Sequence, residues 1–407
     1  MGAVIFRNAA VLDVLAGALS LRDVLVIDER IAEISEQRLT FTEARIIEVA
    51  GRVLMPGLCD AHVHVTAVTA DFAAIERLAP SYVAAHAARI LNSMLLRGFT
   101  TVRDAGGADQ GLARALAERL IVGPRLLQCG KALSQTGGHG DMRLAGEQRP
   151  AAAPSCCGLG RICDGVAEVR RACRDVIRTG ASHIKLMASG GVSSPTDRIS
   201  STQFSREELA AAVEEASAAE IYCMAHAYTP RAIQQAVSVG VRSIEHGNLL
   251  DEQSADLMRE HGAFLVPTLV TYHALAREGV AAGLPAELQV KLSEVLRSGL
   301  GALELAVRAG VQVAFGTDLL GTMHQHQLDE FMIRREVQQP IDIIRGATVN
   351  AARLFKMEGE IGVVAPGAIA DLLVVDGNPL DDLSILHAPH RALRVIMRQG
   401  DLVRCDE

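Results

Sequence analysis

The sequence predicts an α/β fold: a (β/α)8 TIM barrel with a small β-sandwich domain built from both chain ends. Three observations predict it. Between about Thr100 and Thr317, short β-branched or apolar runs alternate with longer stretches of helical periodicity, the rhythm of a parallel sheet wrapped by helices. Polar residues suited to metal or acid–base chemistry recur where those runs end, which is where such sheets place their sites. The two ends of the chain lack this alternation and read as short strands joined by turns.

In chain order, residues 1–55 give several short strands, with turns at Asp28-Glu29 and Ala50-Gly51. The apolar run Val53-Leu54-Met55-Pro56-Gly57 leads into the first strand of the repeating region, at 58–64. Further strands are expected at 100–104, 125–130, 183–188, 222–226, 243–246, 264–267 and 313–317. Helical patterns lie between them at 82–96, 166–179, 206–219, 229–239, 251–261 and 288–309. Eight such strand–helix units close naturally into a ring. The turn-forming segment Gly362-Val363-Val364-Ala365-Pro366-Gly367 precedes further strands at 370–375 and 394–397. The expected division is a discontinuous β domain, 1–56 with 361–407, and a barrel over 57–360.

A chain of 407 residues with a net charge of −8 and no long basic cluster argues against a nucleic-acid surface and for small-molecule partners. No apolar run reaches the eighteen or more residues needed to span a bilayer, and the start lacks a secretory pattern, so no membrane association and a cytoplasmic location are expected. Cys59, Cys129 and Cys223 fall in strand-like apolar runs and read as packing. Cys156, Cys157 and Cys163 cluster in a Gly/Pro-rich stretch without the paired Cys-x-x-Cys of a structural zinc site.

The chemistry gathers at the strand ends. His62 and His64, two apart on an extended strand, point to one face and can reach one metal ion. Lys185 lies within Ser182-His183-Ile184-Lys185-Leu186-Met187, His226 and His246 close later strands, and Asp318 follows Phe315-Gly316-Thr317. Taken singly, a histidine here is a satisfied core residue, Lys185 a salt-bridge partner and Asp318 a helix cap. Together they form a set of imidazole and carboxylate donors suited to Zn2+ or a similar divalent ion, plus one buried lysine. A lysine deprotonated by burial can react with CO2, and the two oxygens of the carbamate can bridge two cations.

Here the sequence resembles the amidohydrolase superfamily, in its binuclear subtype with a carboxylated lysine. The resemblance rests on Met55-Pro56-Gly57-Leu58-Cys59-Asp60-Ala61-His62-Val63-His64, on Gly98-Phe99-Thr100-Thr101-Val102-Arg103-Asp104, on Gly316-Thr317-Asp318 and on Thr348-Val349-Asn350-Ala351-Ala352. The closing stretch Gly367-Ala368-Ile369-Ala370-Asp371-Leu372-Leu373-Val374-Val375-Asp376 is similar to that family's terminal β domain. The resemblance implies two divalent ions, Zn2+ foremost. His62, His64 and Asp318 would bind one, His226 and His246 the other, with a carbamate on Lys185 bridging them. It also implies a homo-oligomer.

The loops Ser134-Gln135-Thr136-Gly137-Gly138-His139-Gly140-Asp141, Met187-Ala188-Ser189-Gly190-Gly191-Val192, Pro195-Thr196-Asp197-Arg198 and Ala225-His226-Ala227-Tyr228-Thr229 resemble the prolidase-like and Xaa-Arg/Lys carboxypeptidase branch. That branch implies cleavage of the amide bond before a C-terminal amino acid, in dipeptides or N-acyl amino acids, with ochratoxin-type arylamides within reach. Two cations there would acidify a shared water and polarise the scissile carbonyl. Asp318 is expected to carry the proton to the leaving nitrogen and His139 to assist the carbonyl oxygen. His139 and Tyr228, and less directly Arg198, are candidates for the substrate carboxylate.

Three rivals are weighed. A deaminase would carry a glutamate three residues after His226, where Thr229 stands. A metal-free scaffold would show substituted ligand positions, and none of the six is substituted. A cyclic imide or lactam hydrolase, hydantoinase- or imidazolonepropionase-like, shares the same ligand set and is separated only by the loops. The stretch 146–165, long for a connection between strand and helix, is a candidate lid or a plain insertion.

Overall fold

Strands from both ends of the sequence hydrogen-bond into one mixed eight-stranded sheet in this computed structural model, which describes residues 2–153 and 155–406. Its order runs Asp401–Cys405, Leu393–Arg398, Leu372–Val375, Val53–Pro56, Ala3–Asp13, Ala18–Ile27, Arg30–Ser35, with Arg45–Glu48 also paired to Ala3–Asp13. The strand Val53–Pro56 joins the two ends of the chain. It runs parallel to Ala10 and Val11 on one side and antiparallel to Leu372–Val375 on the other. One apolar cluster takes Phe6, Val26, Ile31, Leu54, Leu372 and Met397 from strands across the whole order, so the sheet curls around a single core. Each such side chain contributes about 1.5–3 kcal/mol on burial. The expected two-sheet sandwich is therefore found as one continuous sheet, because Val53–Pro56 has ladder partners on both edges.

All eight strands expected in the central region are present, at Leu58–Val63, Phe99–Asp104, Arg125–Leu127, Ile184–Met187, Cys223–Ala227, Ser243–His246, Phe264–Val266 and Gln312–Val313. The last five, with Ala132–Ser134 and Gly160–Ile162, form a seven-stranded sheet that is parallel throughout. The first three form a second sheet. Backbone bonds run between the two sheets: Ser182 N, just before Ile184–Met187, donates to Gln128 O at 2.9 Å, and beyond Gln312–Val313 Phe315 O accepts from Ala61 N at 2.7 Å and Asp318 N donates to His62 O at 2.8 Å.

The helices begin where the sequence provides caps. Ser205 and Glu208 form a reciprocal capping box before Arg206–Ala218, Thr229 caps Pro230–Ser238 with proline in the first turn, and Asp251 caps Glu252–Glu260. The pattern expected at 288–309 divides into a 3-10 turn, Ala286–Lys291, and a helix, Leu292–Ala309. A helix at Leu269–Glu278 was not anticipated. The long stretch 146–165 contains Pro154, outside the described residues, and ends in the short strand Gly160–Ile162. Contacts divide the chain into two units, one of residues up to Asp60, Asn92–Thr101 and the residues from Phe331 onward, the other of Ala61–Leu91 and Val102–Glu330. Among the described residues no helix is long and apolar enough to cross a membrane.

Candidate metal centre and substrate cavity

The strand Leu58–Val63 is buried along its whole length, so its end carries His62 and His64 into the interior. The Nδ1 of each is tied off: His62 Nδ1 pairs with Glu245 Oε2 at 2.7 Å and His64 Nδ1 with Gly106 O at 2.9 Å. Because both acceptors lack a proton to give, each ring donates through Nδ1 and turns its Nε2 toward the centre. The two Nε2 atoms lie 3.3 and 3.2 Å from Asp318 Oδ1. His246 Nδ1 sits 2.7 Å from Thr268 Oγ1 and 4.0 Å from Asp318 Oδ2. His62, His246 and Asp318 each offer a ligand atom, all within 4.8 Å of one another. His226 stands beside the group, its ring centroid 4.7 Å from that of His246 and its Nε2 3.0 Å from Gly190 O. Converging nitrogen and carboxylate donors, with the spare histidine nitrogens anchored, fit a divalent ion well.

Three backbone conformations at these strand ends are left-handed in residues other than glycine: His246 (φ 75°), Thr268 (φ 48°) and Asp318 (φ 53°). Such conformations cost on the order of 1–3 kcal/mol each and persist only where the surroundings enforce them. Here they turn His246, its hydroxyl partner Thr268 and the Asp318 carboxylate toward a common centre. The last strand stops at Val313, short of the expected Thr317, while Ala314 N still donates to Leu265 O and Phe315 O still accepts from Ala61 N.

Electrostatics follow from burial. Burial by itself would raise the Asp318 carboxyl, but His62, His64 and His246 around it hold it well below the carboxylate range. Burial pushes His226 and His246 well below the usual imidazole value, leaving both neutral and able to bind metal. Lys185, 1% exposed, is lowered by burial against the opposing pull of Glu245 and Asp318. Beneath the centre lies an ion pair that sequence reasoning passed over. Glu245 accepts from His62, from Arg103 Nη2 at 3.0 Å and from Ser243 Oγ at 2.6 Å, while Arg103 Nε donates to Ala61 O at 2.7 Å. Asp104 receives the backbone amides of Val65, Gly106 and Ala108, pinning the turns that follow two strands.

The structure brings eight of the nine residues singled out in the sequence to one cavity: His62, His64, His139, Lys185, His226, Tyr228, His246 and Asp318 all line it. The His139 ring stacks on His226 at 4.3 Å, and its Nδ1 lies 2.7 Å from Ser194 Oγ. Burial, with Lys185 and Lys291 adding to it, pushes His139 down to about 3. The Tyr228 ring also abuts His226, at 4.7 Å, and its oxygen accepts a hydrogen bond from Tyr272 at 3.1 Å. Arg198 is the exception. Its side chain is exposed and stands outside the cavity lining, because the loop turns Asp197 inward instead. The rest of the wall is largely apolar, with Phe72, Met142, Leu159, Val192 and Leu275.

The sequence pattern of the Amidohydrolase family matches residues 53–403. This chain belongs to the amidohydrolase family. The amidohydrolase is 36% identical over 368 residues to an ochratoxinase of Aspergillus niger, the match spanning 86% of this chain and 76% of that one. Among solved structures it is similar to a prolidase complexed with N-methylphosphonate-L-proline, at 47% identity and a TM-score of 0.97, with 99% of this chain and 100% of that one covered. It is also similar to a Xaa-Pro dipeptidase with methionine bound in the active site, at 26% identity and a TM-score of 0.87, covering 99% and 100%. The amidohydrolase is a hydrolase acting on amide bonds, of the prolidase-like branch.

Proposed function

We propose that this amidohydrolase cleaves the amide bond of dipeptides or N-acyl amino acids before a C-terminal residue whose carboxylate is free. The observation that carries this reading is the polarity of the cavity. His139 and Tyr228 both pack against His226, whereas Asp318 sits with His62 and His64. A substrate whose carboxylate lies between His139 and Tyr228 would hold its scissile amide beside Asp318. The Tyr228 oxygen already accepts from Tyr272, so its own proton is free to donate to that carboxylate. The apolar wall favours an uncharged side chain. The likeness to a prolidase complexed with N-methylphosphonate-L-proline supports a small substrate ending in a carboxylate.

In the reaction, Asp318 takes the proton of the attacking water and delivers it to the departing nitrogen, without which an amine is a poor leaving group. Two divalent ions, foremost Zn2+, held by His62, His64 and Asp318 and by His226 and His246, with a CO2-derived carbamate on Lys185 between them, would acidify the water and polarise the carbonyl. The backbone bonds of Ser182, Ala61 and Asp318 between the two sheets support reading the eight expected strands as one closed (β/α)8 ring over 57–360. A cytoplasmic homo-oligomer acting on small peptides or amides completes the proposal.

A panel of Xaa-Pro, Xaa-Leu, Xaa-Phe and Xaa-Arg dipeptides set against dihydroorotate and hydantoins tests it. Turnover of the dipeptides is expected, with the uncharged C-terminal residues ahead of arginine. Turnover of the rings alone would overturn the assignment in favour of a cyclic amide hydrolase.

A further inference from the structure

Residues 190–198 form a loop without helix or strand, and Val192 and Ser193 from it line the cavity. Three of its carbonyls converge on one cation from a distant part of the chain. Lys291 Nζ donates to Gly191 O at 3.2 Å, to Ser194 O at 2.7 Å and to Asp197 O at 2.7 Å, and lies 3.4 Å from Asp197 Oδ1. An ammonium has three protons, so these three carbonyls saturate it.

The consequence reaches the cavity through peptide geometry. In a trans peptide the N–H points opposite to the C=O, and the described residues contain no cis peptide bond. Drawing Gly191 O toward Lys291 therefore turns the Val192 N–H away from it. Lys291 is not part of the cavity lining, while Val192 is. Val192 is 2% exposed, and its amide makes no hydrogen bond among the described residues. Buried N–H groups are almost always paired, so one left open on a cavity wall marks a place for an acceptor. The same clamp reaches His139. Ser194, whose carbonyl Lys291 holds, keeps its hydroxyl on His139 Nδ1 and on Asp197, and Gln203 ties Asp197 to the backbone of His139.

We propose that Lys291 is a positioning residue that sets residues 191–197 so that the Val192 amide and the His139 ring meet the carboxylate of the substrate. The proposal rests on the carboxylate-bearing substrate inferred above and adds to it a backbone donor and a remote cation that never touches the ligand.

The test compares kcat/KM for one dipeptide and for the same dipeptide as its C-terminal carboxamide, in the parent protein and in Lys291→Met, Lys291→Gln and Lys291→Arg. The parent should favour the free acid. Lys291→Met should lose that preference by at least about tenfold, the effect of removing one hydrogen bond to a charged group, through a raised KM for the free acid with the carboxamide's kcat and KM unchanged. Lys291→Arg should restore most of it, and Lys291→Gln, with donors but no charge, should fall between. Should Lys291→Met fail to fold, Lys291→Gln decides. A folded Met or Gln variant that keeps the parent's preference overturns the role of Lys291. A parent with no preference for the acid overturns the carboxylate reading of the site itself, and the role of Lys291 with it.

Discussion

Replacing Glu245 with glutamine removes a charge from the centre of the buried network while keeping its shape. Glu245 is fully buried, as is Arg103, and the two are 3.0 Å apart. Burial alone would raise the Glu245 carboxyl, but Arg103, His62 and Lys185 outweigh it and hold the group at about 2. A depression of roughly 2.5 units from the ordinary glutamate value of 4.5 corresponds to about 3 kcal/mol. Removing one partner of a buried pair costs about 3–5 kcal/mol by a separate route, because the remaining charge is stranded. The two figures agree, and Glu245→Gln is expected to destabilise the protein by about that much at pH 7 in guanidinium unfolding. The sign of the pH effect follows. A carboxyl whose folded value is depressed contributes its full stability above about pH 4.5 and loses it as the pH falls toward 2, so the parent should lose stability across that window more steeply than Glu245→Gln. The double variant Arg103→Met/Glu245→Met, which leaves neither charge of the pair stranded, should be more stable than the sum of its single changes predicts. A Glu245→Gln protein as stable as the parent, or a strictly additive double variant, would refute the reasoning.

A Cβ at Gly191 would stand 2.0 Å from His139 Cε1, so Gly191→Ala must displace that ring. A shift of about 1.5 Å restores normal contact, and kcat/KM should fall by about 10²-fold while the unfolding midpoint holds, a comparison made by kinetics beside calorimetry. Exhaustive chelation should abolish turnover and readdition of Zn2+ restore it; elemental analysis of the parent should find close to two metal equivalents per chain, and Lys185→Ala should lower that content and end turnover. Two equivalents in an active Lys185→Ala protein would exclude the bridging carbamate.

That these side chains would meet in one cavity was legible because most of them stand at or beside the end of an apolar run, a local pattern that depends only on strand geometry. Glu245 was not, although it is the neighbour of His246. Nothing in the run Ser243-Ile244-Glu245-His246 says that the glutamate turns inward to His62, 183 positions away. Lys291 was hidden for the same reason, bonding to carbonyls 94 to 100 positions back in the chain. Arg198 misled in the opposite way: its charge suited a carboxylate, but the loop turns its neighbour Asp197 inward in its place. Periodicity located the strands yet could not say how many sheets they would make. The partition depended on Val53–Pro56, which pairs on both edges.

That doubly paired strand also imposes an order of events on synthesis. Val53–Pro56 is buried throughout and emerges from the ribosome with Ala3–Asp13 ready beside it, but its other edge belongs to Leu372–Val375. At about 5–20 residues per second, more than three hundred intervening residues hold that edge open for roughly 16–60 s. An unpaired apolar edge is a template for the wrong strand, including the same strand of a neighbouring nascent chain. Ribosome-bound chains halted before residue 372 should therefore depend on chaperones far more than chains released at full length.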